Sequence, residues 1–213
     1  YKETGDKNFK NSPYYKFSSD YNKNIFTASQ ALGLDQKNAP GLHDHDPKAS
    51  IYPWTLYGPE KELEVFYKTL HSEHGYEFND SPENKNIRLH DVFLERGQKE
   101  IDRLIHVFNS IQKNNYQRST KYDGDICANI LYRESEWVVL VTRGMHRIAA
   151  LGAIGSKEVP IRIRRSDIIK YSDLEYLPNV INGNITLEGA ELVFNSIFNY
   201  NAKGVYVNVV GWP

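Results

Sequence analysis

The amino-acid sequence reads as an α+β domain, a small mixed sheet flanked by helices, with additions at both ends. Three observations lead there. Trp137 to Val141 is an apolar run of β-formers that ends at Gly144. Leu63, Phe66, Tyr67 and Leu70, and later Ile101, Leu104, Ile105, Phe108 and Ile111, fall on single helical faces. Strands and helices do not alternate strictly, so a doubly wound parallel sheet is not expected.

The central stretch is Trp137 to Arg165. After the strand and Gly144, the Ala/Leu-rich segment Ile148 to Ile154 suits a short helix. Gly155 stands where a C-cap glycine belongs. Val159-Pro160-Ile161-Arg162-Ile163 then alternates as a second strand would, with Pro160 near its start. Chemistry belongs at the turn. Gly144 permits close backbone approach, and the free N–H groups and dipole of a helix start attract phosphate. His146 and Arg147 place cations where the dipole does not favour them, which makes sense if an anion completes the site. The bland alternative is that both residues cap and solvate the turn.

Gly144-Met145-His146-Arg147, followed by Ala149-Ala150-Leu151, Gly155 and Val159-Pro160-Ile161, resembles the G-x-H-R motif of the ParB/sulfiredoxin superfamily. The resemblance covers Trp137 to Arg165 well and Ile87 to Arg165 loosely. It implies a ParB/sulfiredoxin-like fold in which Gly144, His146 and Arg147 cradle nucleotide phosphates. ATP or another nucleoside triphosphate is then the expected cofactor, with Mg²⁺ to neutralise the transferring phosphates. Sulfiredoxins carry a reactive Cys where this chain has Met145, and a thioether is no thiolate nucleophile. Serine-kinase-like members carry Asp where this chain has Arg143.

With 213 residues, the chain has room for one domain plus an extension. The expected division is an N-terminal extension over 1–80 and the ParB/sulfiredoxin-like domain over 81–213. A net charge of −1 argues against strong non-specific nucleic-acid binding. Arg162, Arg164 and Arg165 form the densest basic cluster and read as a solvated strand end. The single cysteine, Cys127, excludes an intrachain disulfide and a cysteine-based zinc site, and suits a reducing, cytoplasmic setting. No apolar run approaches the roughly 20 residues of a membrane span.

Taken in order, Tyr1 to Ala49 is polar and aromatic and reads as an irregular arm, with a short helix over Thr27–Leu34 that ends at Gly33. His43-Asp44-His45-Asp46 offers imidazoles and carboxylates, both metal ligands, although adjacent residues converge on one ion only through a turn; an exposed hydrogen-bonded loop is the alternative. Tyr52 and Trp54 read either as a core plug or as walls of a substrate pocket. Pro59 starts a helix that ends before Gly75. A polar connection follows, then a short strand and turn over Asn86–Phe93, then a helix from about Gln98 to Gln112.

Lys99, Arg103, His106 and Ser110 form the polar side of that helix. By the resemblance, Arg103, His106 and Ser110 keep the spacing of nucleotide-side residues, and Glu95 lies where serine-kinase-like relatives carry a catalytic Glu, a general base for a substrate hydroxyl. Ile126–Tyr132 and Trp137–Thr142 make a hairpin around Arg133-Glu134-Ser135-Glu136. Ser166 to Pro178 holds a short helix, Asn182-Gly183 is a turn, Thr186 caps a helix to about Phe198, and Val205 to Val210 alternates as a last strand.

The functional expectation is a nucleotide-dependent, kinase-like phosphotransferase acting on a small hydroxylated molecule. Two alternatives stand beside it: a non-catalytic nucleotide-binding or DNA-associated ParB-like module, and an interaction domain that has lost the chemistry.

Overall fold

A computed structural model describes residues 5–13, 15–16, 25–74, 89–119 and 125–199. Its helices are α1 (Ala28–Ala31), α2 (Pro59–His74), α3 (Leu89–Asn114), α4 (Met145–Ile154), α5 (Pro178–Ile181) and α6 (Leu187–Phe198). Its strands are β1 (Cys127–Arg133), β2 (Glu136–Arg143) and β3 (Ile168–Lys170), in the order β2-β1-β3. The fold is α+β with a small mixed sheet: β1 pairs antiparallel with β2 and parallel with β3.

The hairpin is tighter than its sequence suggests. Arg133 pairs with Glu136, leaving Glu134 and Ser135 as the loop, and Glu134 takes a left-handed φ of 57°. On one face of the sheet, Leu131, Leu140 and Ile169 enter the main core. That core also takes Ala28, Leu32, Leu34, Leu42, Ile51 and Trp54 from the N-terminal part, and Ala190, Val193, Phe194 and Ile197 from α6. Residues on both sides of the expected boundary near residue 80 therefore share one apolar cluster. Helix α6 forms as its sequence indicates, with the Thr186 hydroxyl accepting from the Gly189 N–H at 3.0 Å.

Asn179, fully buried, ties these parts together. Its Nδ2 donates to the carbonyls of Tyr52, Thr55 and Tyr57 at 3.2, 2.7 and 3.4 Å, and its Oδ1 accepts from Asn184 Nδ2 at 2.9 Å. One amide thus supplies the carbonyls of a loop that has no strand partner of its own.

Several expectations need correction. Leu89–Phe93 is not strand but the first turns of α3, and 86–88 lie outside the described residues. The helix expected from about Gln98 thus starts earlier, and Gly97 within it leaves room for the Phe9 ring, which a Cβ would strike. Phe9 is further held by its N–H donating to Gln98 Oε1 at 2.9 Å. Val159–Ile163 is not a strand: only Arg162 bridges to Cys127, and β3 comes later, at Ile168–Lys170. Helix α4 begins directly after Gly144, three residues before the expected Ile148. The expected strand Val205–Val210 lies outside the described residues.

Replacing Asn179 with Ala removes the buried amide that serves the Tyr52, Thr55 and Tyr57 carbonyls and accepts from Asn184. Urea denaturation of the variant is expected to show a loss of about 3 kcal/mol, against less than about 1 kcal/mol for Asn184→Ala, whose amide is partly exposed.

Candidate functional site: the Gly144 turn and its two carboxylates

The turn between β2 and α4 is fixed by an unusual fit. Gly144 is left-handed, at φ 81° and ψ 29°, and a Cβ there would lie 3.0 Å from Ile126 Cα and 3.2 Å from the Asp125 carbonyl oxygen. Glycine is thus required twice, for its conformation and for its close approach to the start of β1. No side chain caps α4. The Gly144 carbonyl accepts from Arg147 and Ile148, at 2.9 and 3.0 Å, while the Met145 and His146 N–H groups have no partner among the described residues. At the other end, Gly155 closes the helix in a left-handed conformation, and Ser156 N–H returns to the Leu151 carbonyl at 3.0 Å.

Beneath the turn lies Asp125, with no solvent exposure. Its Oδ1 accepts from Tyr116 Oη at 2.9 Å and from the Ile126 N–H at 3.1 Å. Its Oδ2 accepts from Arg118 Nη2 at 2.7 Å and from Arg162 Nε at 3.1 Å. The Arg118 guanidinium holds the carboxyl well below the usual carboxylate range; burial pushes the other way, and Tyr116, Arg162 and the Ile126 N–H reinforce Arg118. Arg162 also donates from Nη2 to the Ser119 carbonyl at 2.9 Å. Arg162 is therefore a structural tie, not the solvated strand end its basic neighbourhood suggests.

On the other side of the turn stands Glu100 of α3, which packs along α4. Glu100 Oε2 lies 3.0 Å from His146 Nε2, and its Oε1 meets Arg96 and Arg103 at 3.4 and 3.5 Å. Burial pushes this carboxyl up, but the hydrogen bond and charge of His146, with Arg103 and Arg96, outweigh it and leave it below its ordinary value. Glu100 is ionised at neutral pH.

The structure brings together part of the expected site. Gly144, His146 and Arg147 form one turn, and Arg103 joins it through Glu100. Arg147 has no ion pair among the described residues, and its charge lowers Tyr116 against burial and Asp125, which raise it. Near the same strand end, burial and Glu62 raise the Tyr57 hydroxyl, and the Arg143 charge opposes them. His106 and Ser110 are exposed further along α3 and make no hydrogen bond or ion pair among the described residues. Glu95 lies on the α3 backbone five residues before Glu100, and its side chain lies outside the described residues.

Two groups of expected residues sit elsewhere. Tyr52 and Trp54 stack at 5.0 Å within the packing of the main core, which is the core-plug alternative. The His43–Asp46 loop does not converge on an ion. His45 Nε2 lies 3.6 Å from Glu60, Asp46 caps the following turn and pairs with Lys48 Nζ at 3.0 Å, and Asp44 is exposed. Among the described residues no three His, Cys, Asp or Glu side chains are placed to hold a metal.

No protein-family model matches the chain, and comparison with curated proteins and with solved structures finds no match. No helix of the described residues is long and apolar enough to cross a membrane.

The depressed Asp125 carboxyl contributes stability that is full above about pH 4, its range in the unfolded chain, and that is lost as pH falls through its lower folded range. Asp125→Asn is expected to cost about 3 kcal/mol at pH 7, the low end for a broken buried pair because both guanidiniums reach solvent. Urea midpoints at pH 7 and pH 3 should differ less in the variant than in the wild type. Gly144→Ala is expected to lower stability by about 2 kcal/mol through its left-handed φ and the Ile126 contact; equal melting of variant and wild type would contradict the fit described.

Proposed function

We propose that the chain is a nucleotide-dependent, kinase-like phosphotransferase acting on a small hydroxylated molecule, with the nucleotide phosphates resting on the Gly144–Arg147 turn. The observation that carries this reading is the uncapped start of α4. Two open N–H groups, at Met145 and His146, directly precede Arg147 in the chain on a backbone fixed by Gly144. Such a helix start attracts anions, and Arg147 supplies planar, forked recognition of phosphate oxygens. Arg103, held near the turn through Glu100, adds a second cation. The resemblance of Gly144-Met145-His146-Arg147 to the G-x-H-R motif favours nucleotide phosphates over other anions.

ATP or another nucleoside triphosphate supplies the phosphoryl group in this reading. The donor set at the turn does not fit a protein-held Mg²⁺. The carboxylates described there, Glu100 and Asp125, are engaged by His146 and by arginine and tyrosine donors.

A second reading, an interaction domain that has kept the fold without the chemistry, is favoured by Arg143, which stands where serine-kinase-like relatives carry Asp. Net charge near neutrality speaks against a DNA-associated module.

Calorimetry with ATP, ADP, CTP and GTP separates the two. Binding of one nucleotide by the wild type, weakened at least tenfold by Arg147→Ala, is the expected result. A flat panel would favour the interaction domain.

A further inference from the structure

A carboxylate only accepts hydrogen bonds, so the 3.0 Å contact between Glu100 Oε2 and His146 Nε2 places a proton on Nε2. The ring then meets any ligand through Nδ1. That atom has no partner among the described residues, and the side chain is 31% exposed. In the neutral ring Nδ1 is an acceptor. A phosphate offers it no proton, whereas a hydroxyl does.

We propose that His146 and Glu100 form an imidazole–carboxylate dyad in which His146 Nδ1 takes the proton of the acceptor hydroxyl and Glu100 positions the ring. This rests on the phosphotransferase reading of the same turn. The substrate class is then an uncharged alcohol or the hydroxyl of a small amphoteric molecule. The hydroxyl proton passes to Nδ1 as the oxygen bonds to the terminal phosphorus of the nucleoside triphosphate. The bond from that phosphorus to the bridging oxygen breaks, and the electron pair leaves with the nucleoside diphosphate. The imidazolium that results faces an ionised carboxylate, which stabilises it. The separation of tasks follows from position: the Met145 and His146 N–H groups and Arg147 hold phosphate, while the His146 ring is held by α3. The ionisable groups on the surrounding elements are Arg96, Glu100 and Arg103 on α3, Tyr116 and Asp125 in the loop before β1, Arg143 on β2 and Arg147 on α4.

Glu100→Gln and His146→Asn test the dyad in the full chain, by calorimetry with the bound nucleotide and by transfer from the labelled triphosphate to a panel of small alcohols and hydroxy amino acids. Both variants are expected to keep nucleotide affinity within about threefold and to lose kcat by about a hundredfold. If either variant fails to fold, the other decides. Parallel loss of affinity and kcat would overturn the dyad and leave the phosphotransferase reading intact, since His146 would then be a phosphate ligand. A wild type that binds nucleotide without transferring phosphoryl to any member of the panel would overturn both the dyad and the phosphotransferase reading and leave only a nucleotide cradle. A wild type that binds no nucleotide would overturn both.

Discussion

Asp125 is a carboxylate without solvent exposure, and four donors converge on it from three stretches of chain. Desolvating such a charge is costly, and only near-complete hydrogen bonding offsets the cost. Tyr116 and Arg118 bring the loop after α3 to it, and Arg162 brings the segment after α4. The sheet, the turn and both helices of the site are thereby referred to one point. Gly144 then packs on the Asp125 carbonyl and on Ile126, so the start of α4 is set against that same point.

Two carboxylates flank the turn and do different work because their surroundings differ. Asp125 is sealed and saturated with donors, and its role is to hold backbone. Glu100 is partly open and meets a histidine whose side chain is itself partly exposed. Its arginine partners are at the long end of ion-pair distances, so they bias its charge without closing its geometry. A site that needs a fixed anion cradle and a mobile proton benefits from this division.

Much of the architecture is written in local sequence signals. The hairpin, the Gly155 stop, the Thr186 cap and the apolar face of α6 all depend on neighbours within a few positions, so pattern reading reaches them. What it misses depends on distant contacts. Gly97 looks like a breaker until Phe9 packs on it. Val159–Ile163 alternates like a strand, yet Arg162 is drawn to Asp125 and Ser119, and the three residues Ile168–Lys170 take the place beside β1. The turn itself was visible in Gly144, His146 and Arg147. Glu100 was not, because between Arg96 and Arg103 it looks like an ordinary helix-surface charge. Asp125 was hidden in a polar loop whose spacing has no periodicity. Tyr52 and Trp54 drew attention as aromatic neighbours, and packing placed them in the core.

An anion cradle at the uncapped start of α4 has a direct signature in backbone amide NMR during titration with ADP and with inorganic pyrophosphate. The amides of Met145 and His146 should show the largest saturable shifts, with Gly144 and Arg147 next, and the same pattern for both ligands. Saturable shifts centred elsewhere, or no shifts at the turn at ligand concentrations of several millimolar (~5 mM, a ligand free energy near 3 kcal/mol), would contradict it.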